Sequence, residues 1–388
     1  MKFILILASI IYLSLSNIYC LAKEAKQDES ILKVGLIVPL SGKHQEIGKS
    51  VLNSIRLALS KINDDQIEIF PKDNYSNPEK TLFAARQLEK EGIQIVIGPI
   101  FHQNLIYLEE VQNLTFLSLS NKTKIIPKNV ITIGVNANSQ ISAIVNFIKK
   151  ENLNKTIVLV PKSNFEDELR NALVKSKYEF MNIYSYDVEP IKLTSQIKQI
   201  TAYNERTKKL EKIIEFVEKG IEILEKEEEL KNLKKKYTLG EINFDSVVIA
   251  NFGENLKSVT NSFSFSDVTA QDVKFITLNQ WFDETLLKES STNQIYFPSI
   301  NLTNYSKFRE TYFKSYNKYP PQISILSYDI LGLIYYIKKV QGDNLVKNIF
   351  NKKISYIGEV GEFSFEDKIV THKLDIYQVF DNQFLKIN

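Results

Sequence analysis

Short unbroken apolar runs alternate along this chain with longer stretches whose apolar residues recur every three or four positions. The first run is Lys33-Val34-Gly35-Leu36-Ile37-Val38-Pro39-Leu40. It shows no in–out alternation, as expected of a parallel strand covered on both faces. Ile47, Val51, Leu52, Ile55, Leu57, Ala58 and Ile62 keep helical spacing over 47–62. Gln66 to Phe70 predicts a second strand. Asn77-Pro78 opens a helix, with Asn as N-cap and Pro at the first helical position, and Gly92 stops it. Ile93 to Ile97 predicts a third strand, ending at Gly98-Pro99, followed by a helix near 103–112 and a strand near 115–119.

Strand and helix thus alternate from residue 32 to about 150, which predicts an α/β fold with an open parallel sheet and helices on both faces. The pattern restarts with a strand over Thr156 to Val160, a helix over 165–180 and a strand over Met181 to Tyr186. It resumes with strands at Ser246 to Ala250, Val273 to Leu278 and Ile295 to Phe297, then helices at about 303–317 and 322–340. Gly361 to Val379 alternates apolar and polar residues and predicts a hairpin. A chain of 388 residues suits two units of this kind.

Residues 203–238 interrupt the alternation with a stretch dense in Lys and Glu. Leu210, Ile214, Val217, Ile221 and Leu224 form one apolar seam on a helix, which then fades into Glu227-Glu228-Glu229 and Lys234-Lys235-Lys236. The seam predicts a helical insert that either packs its stripe on the second unit or serves as a docking arm for a partner.

The amino-terminal run fits neither pattern. Lys2 is followed by Phe3-Ile4-Leu5-Ile6-Leu7-Ala8 and Ile10-Ile11-Tyr12-Leu13, diluted by Ser14, Ser16 and Asn17. A positive end, an apolar centre and a small-residue end predict a cleavable signal peptide over 1–22, with cleavage after Ala22. Residues 23–31 then form a polar linker. Lipidation at Cys20 is not expected, because Tyr19 precedes it and Asn17 stands three before it. No other run is long enough to span a bilayer, so the expected contact with the membrane is through the cleaved signal only. Export from the cytoplasm is expected.

Charge narrows the partners. Lys and Arg number 49 against 46 acidic residues, a net charge of +3, too balanced for a nucleic-acid binder. One Cys and three widely separated His exclude a disulfide framework and a structural zinc site. Gly42 to Ser50 imitates a phosphate-binding loop, but five residues separate its glycines where that loop needs four. No Ser-His-Asp order, metal triad or paired-carboxylate spacing stands out, so neither catalysis nor a cofactor is expected.

In open parallel sheets, ligands bind beyond the carboxyl ends of the strands. Three strand ends gather polar or small residues there: Ser41 and Gly42; Gly98 with His102; and Ser118, Ser120 and Asn121. Gln280 and Trp281 follow the Val273 to Leu278 strand, where the Trp either stacks on a ligand or closes the core. Together they form a candidate cleft for a small polar ligand. Tyr328-Asp329, in the last large helix, is expected to be a structural pair near the junction of the two units.

Lys33 to Ile62, with Pro39-Leu40-Ser41-Gly42 and Ile47-Gly48, resembles the opening of the type I periplasmic binding proteins, the leucine-binding group. Asp73, Asn77-Pro78 and Ile97-Gly98-Pro99 agree with it. The resemblance covers nearly all of 32–388 and implies two lobes joined by three crossovers that close by hinge motion. Lobe 1 is then 32–135 and 300–370, and lobe 2 is 136–299 and 371–388, with the 203–238 insert inside lobe 2. Within that group, Tyr203-Asn204-Glu205-Arg206, the charged insert, Phe244-Asp245-Ser246-Val247-Val248, Leu278-Asn279-Gln280-Trp281, Ser327-Tyr328-Asp329 and Gly358 to Phe365 resemble the penicillin-binding-protein activators.

That branch implies a non-enzymatic envelope protein that regulates peptidoglycan synthesis by contact with a penicillin-binding protein. The leucine-binding group as a whole implies the solute-binding component of an amino-acid ABC transporter, with an ABC permease as partner. Amino-acid-binding members hold the ligand carboxylate with Ser or Thr at the two strand ends. Here His102 and Asn121-Lys122 stand there instead. Those members also use an acid of the second lobe for the amine, where the Gln280 region offers an amide and a Trp. Some activators carry a lipid anchor and an extra helical-repeat domain, and neither is expected here.

Overall fold

A computed structural model describes residues 31–219, 224–278, 287–341, 354–366 and 369–387. The expected signal peptide, Cys20 and the linker up to residue 30 lie outside them, as do Gln280 and Trp281.

Two sheets organise the chain. The first is eight-stranded and takes five parallel strands from the amino-terminal part: β1 (Leu32–Val38), β2 (Ile67–Asp73), β3 (Ile95–Ile97), β4 (Thr115–Ser118) and β5 (Val130–Thr132). Three more come from near the carboxyl end: β11 (Ile354–Gly358), β12 (Gly361–Glu366) and β13 (Ile369–His372), in the order β11-β12-β13-β5-β4-β3-β1-β2. The second, seven-stranded sheet contains β6 (Thr156–Pro161), β7 (Asn182–Tyr186), β8 (Ser246–Ile249), β9 (Lys274–Thr277), β10 (Tyr296–Ser299), β14 (Asp375–Phe380) and β15 (Gln383–Ile387). Its order is β15-β14-β10-β9-β8-β6-β7.

Successive residues of a strand face opposite sides, so a parallel strand must be apolar at every position to feed two layers. In β1, Val34, Leu36 and Val38 join one buried cluster while Ile37 joins another. The first cluster lies under α1 (Gln45–Ile62) and α10 (Ile323–Gln341), which pack on each other. The second contains Ala84, Ala85 and Leu88 of α2 (Pro78–Lys90). The second sheet repeats the arrangement. Val158, Val160 and Val248 face α3 (Ala137–Lys150) and α4 (Glu166–Lys175), whereas Ile157, Leu159 and Val247 face α5 (Pro190–Ile200) and α8 (Gly253–Phe265). The two-lobed α/β architecture is the one the alternating pattern predicts.

Two local expectations are corrected. The helix near 103–112 is two 3-10 turns, His102–Leu105 and Leu108–Glu110. The buried residues Leu105, Leu108 and Val111 are spaced by three, the period of a 3-10 turn. The hairpin over Gly361 to Val379 is divided between the lobes. β12 and β13 pair in the first sheet, β14 and β15 in the second, and the chain crosses at 373–374. Both halves are antiparallel and alternate alike, so the pattern does not betray the crossing. Pairing of β13 runs on to His372, two residues past the lobe boundary expected at 370.

The crossings are stitched to one another. Asn136 caps α3 by accepting from Ser139 N–H (2.9 Å) and donates through Nδ2 to Val370 O (2.6 Å). His372 N–H donates to Ser139 Oγ, and His372 Nε2 lies 2.8 Å from Ile133 O. Asn301 caps α9 (Leu302–Tyr316), and its N–H donates to Val360 O. Asp329 of α10 sits against this last crossing. Its two carboxylate oxygens accept from Glu359 N–H and Val360 N–H, each at 2.8 Å. Burial nevertheless pushes the Asp329 carboxyl up to about 7.

The 203–238 insert forms two helices, α6 (Tyr203–Lys219) and α7 (Leu224–Leu233), that pack on each other. Leu210 and Leu233 are buried and Ile214, Val217 and Leu230 are half-buried, with Lys234 paired to Glu218 at 2.5 Å. Ile221 and the Leu224 side chain lie outside the described residues. Arg206 fixes the base of the pair. Its guanidinium is buried and donates to Thr238 Oγ1 (2.7 Å), Asp267 O (3.1 Å) and Ser266 O (3.3 Å). Beyond that clasp, Phe216 stands 77% exposed. No helix among the described residues is long and apolar enough to cross a membrane.

Candidate functional site

The carboxyl ends of β3 and β4 open onto a cavity of about 870 Å³. Ile100, Phe101 and His102 line it after β3, Leu119 to Lys122 after β4, and Gly134 and Val135 from the first crossing. The opposite wall is Tyr305 and Arg309 of α9 with the segment 320–323 that leads into α10. Short parallel strands end together, so the loops that leave them share one rim. That rim is rigid. Ser118 Oγ donates to Pro99 O (2.8 Å), Ser120 N–H donates to Ser118 Oγ (3.2 Å), and Gly134 N–H donates to Ser120 O (3.0 Å). A Cβ on Gly134 would come within 2.6 Å of Ser120 O, so only glycine lets the crossing run this close beneath the loop.

The structure thus brings His102, Ser120 and Asn121 to one cavity; Ser41, Gly42, Gly98 and Ser118 are not among the residues that line it, and Gln280 and Trp281 lie outside the described residues. Ser41 gives its hydroxyl to Asp73 Oδ2 (2.5 Å), while Leu40 N–H reaches Asp73 Oδ1 (2.9 Å). Burial works against the Asp73 charge, but the donors Ser41, Tyr75 N–H and Leu40 N–H outweigh it and hold the carboxyl below the usual range. Ser41 therefore ties the β1 and β2 ends together. Gly42 occupies a left-handed turn position, with its carbonyl accepting from Gln45 N–H. Gly98 is packed against Ile37 O, which a Cβ would approach to 2.1 Å. Ser118 is fully buried beneath the rim.

Two polar residues of this region carry no spacing signal and were not expected. Glu168, on α4 of the second lobe, accepts from both the N–H and the hydroxyl of Thr123 in the loop after Lys122. Gln322, between Pro321 and α10, is 7% exposed and lines the cavity. Burial holds the His102 imidazole below its ordinary pKa, the Lys122 charge adds to this, and Glu168 opposes it. Arg309 stacks over Tyr319, 4.4 Å from its ring centre. An apolar wall with a few convergent polar groups is the chemistry of a binding pocket. Glu168 is committed to Thr123 rather than to His102.

Residues 31–204 match the sequence model of a periplasmic binding protein family. No curated protein sequence matches the chain. Among solved structures, it is similar to full-length LpoA of Haemophilus influenzae, at 15% identity and a TM-score of 0.64 over 93% of this chain. The chain spans 59% of that protein. Its likeness to the LpoA C-domain, described as a regulator of PBP1A, covers 92% of this chain and 100% of that domain, at 15% identity and a TM-score of 0.61. A putative branched-chain amino acid ABC transporter protein from Rhodospirillum rubrum gives a TM-score of 0.69 at 11% identity, covering 92% and 99%. LivJ of Streptococcus pneumoniae, solved with isoleucine, gives 0.56 at 16%, covering 92% and 99%. At these identities the likeness is one of fold.

Proposed function

We propose that this chain, a type I periplasmic-binding-protein fold whose residues 31–204 match that family, regulates peptidoglycan synthesis by contact with a penicillin-binding protein. It acts in the periplasm without catalysis, exported by a signal peptide cleaved after Ala22 and not lipidated at Cys20. The observation that carries this is the α6–α7 pair. Leu210 and Leu233 are buried and the base is clasped at Arg206, while Phe216 and the surrounding Lys and Glu residues are exposed to solvent. A fold that only binds a solute has no need of such a projection. The resemblance to a regulator of PBP1A supports the same partner class.

The cavity favours a second function, that of the solute-binding component of an ABC transporter, as in the transporter proteins of the same fold. Crosslinking in cells with tagged full-length protein, followed by mass spectrometry, separates the two. Recovery of a peptidoglycan synthase, lost on deletion of 205–237, supports the regulator. Recovery of an ABC permease that survives the deletion replaces it with the transport function.

A further inference from the structure

Large apolar side chains gather on one exposed face of the first lobe. Phe83 of α2 is 64% exposed. Ile106, in the turn that links the two 3-10 segments, is 65% exposed, and Tyr107 next to it is also open to solvent. α2 packs along both segments. Arg86 donates to Glu110 (2.6 Å), and Asn113 donates to Glu89 (3.0 Å). These ties lie three residues apart on each segment, so the two run in step, and the next step back sets Tyr107 beside Phe83. A contiguous apolar patch left in water is a mark of an interaction surface.

The charges around Phe83 select the partner. Glu79, Phe83, Arg86 and Lys90 follow one another along the exposed stripe of α2, at intervals of four, three and four residues. The spacing is symmetric about the midpoint between Phe83 and Arg86, whereas the chemistry reverses across it. A half-turn about that point sets Glu79 against the second copy's Lys90 and Phe83 against its Arg86, and does so twice. Acid then meets base, and an aromatic face meets a guanidinium. Neither Glu79 nor Lys90 makes a salt bridge among the described residues, and Arg86 keeps 56% of its side chain exposed beside Glu110. An identical chain carries the reversed order of charges by construction.

We propose that this face is the contact between two copies of the chain. The α2 helices lie antiparallel about a two-fold axis between Phe83 and Arg86, and the Ile106–Tyr107 turns flank them. No residue of α2 lines the cavity or belongs to the α6–α7 insert, so the pairing goes beyond the proposed function and is independent of it.

Sedimentation equilibrium of the exported full-length chain at low salt tests it, over about 1–200 μM, a range that suits a contact of modest area. A reversible monomer–dimer equilibrium is expected. Phe83→Asp is expected to weaken it at least tenfold, because the axis applies each change twice. Glu79→Lys sets base against base, and Lys90→Glu sets acid against acid. Each of these variants alone is expected to associate about tenfold more weakly than wild type. Mixed in equal amounts, the two regain opposite charges at both contacts and are expected to associate as wild type does. All three substitutions fall on exposed positions, and circular dichroism checks that each variant is folded. A chain that stays monomeric throughout, an unchanged association constant for Phe83→Asp, or a mixture that associates no better than its components would each overturn the inference.

Discussion

Glu168 of the second lobe accepts both the N–H and the hydroxyl of Thr123 of the first, next to Lys122 and Ser120 at the rim of the cavity. Glu168 is 7% exposed, so this is a charge-assisted contact shielded from water and stronger than a surface pair. It spans the two lobes close to the cavity. Glu168→Ala is expected to loosen the lobes against each other. Spin labels placed one per lobe should then report a broader or longer distance distribution, with each sheet's own circular dichroism unchanged. An unaltered distribution would mean that the stitched crossings alone set the spacing.

His372 gives a dependence on pH. Burial lowers its imidazole from 6.5 to about 4, although the Ile133 carbonyl favours the charged form. The unfolded chain therefore takes up this proton at a higher pH than the folded one. The contribution to stability is complete above about pH 6.5 and is lost as the pH falls toward about 4. At 1.36 kcal/mol per pKa unit the loss approaches about 3 kcal/mol. Urea unfolding at pH 7 and at pH 4.5 should show wild type losing about 2–3 kcal/mol more than His372→Gln, in addition to any change they share. Equal losses would remove His372 from the acid response.

Gly358 and Asp329 are in contact at the last crossing. A Cβ at 358 would stand 2.4 Å from Asp329 Oδ2, while that carboxylate holds the Glu359 and Val360 amides. Gly358→Ala must displace either the carboxylate or the turn, leaving buried groups unpaired. A cost of about 2–4 kcal/mol is expected, read as a lower denaturation midpoint. Gly42→Ala, where a Cβ meets nothing within 4 Å, is the control for left-handed backbone strain alone.

At the base of the α6–α7 pair, Arg206→Ala removes three hydrogen bonds and leaves Thr238 and two carbonyls without their donor. Loss of about 1–3 kcal/mol of local stability is expected. Amides over 203–219 should exchange at least about tenfold faster, while those of β6 and β8 keep their protection. Uniform acceleration across the second sheet would show that the clasp belongs to the lobe core instead.

The sequence is most legible where burial is most complete. Val34 to Val38, Ile157 to Val160 and Val247 to Ile249 are apolar at every position because each strand feeds two layers. The three residues Val130–Thr132 are too few to form such a run, and β5 escapes notice. The seam at 210–217 is legible as a helix stripe, but periodicity cannot say that its cover is a second helix of the insert. Within the cavity, His102, Ser120 and Asn121 follow from the rule that ligands meet strand ends. Gln322 comes from a segment more than 180 residues away in the chain. A lone amide beside Pro320-Pro321 has no pattern to announce it. Glu168 is equally silent, since three acids in the first turn of α4 look alike until one of them finds Thr123.

The order in which the strands are used also bears on synthesis. β13 joins the first sheet beside β5 only when residues 369–372 exist, and β14 covers the edge of β10 only when 375–380 do. A chain growing from its amino end therefore carries two incomplete sheets, each with an exposed edge ready to pair with a stranger, until residues 354–387 emerge. The first sheet takes its last strand at Ile369–His372 and the second its last two between Asp375 and Ile387, so loss of β13 to β15 would injure both halves at once.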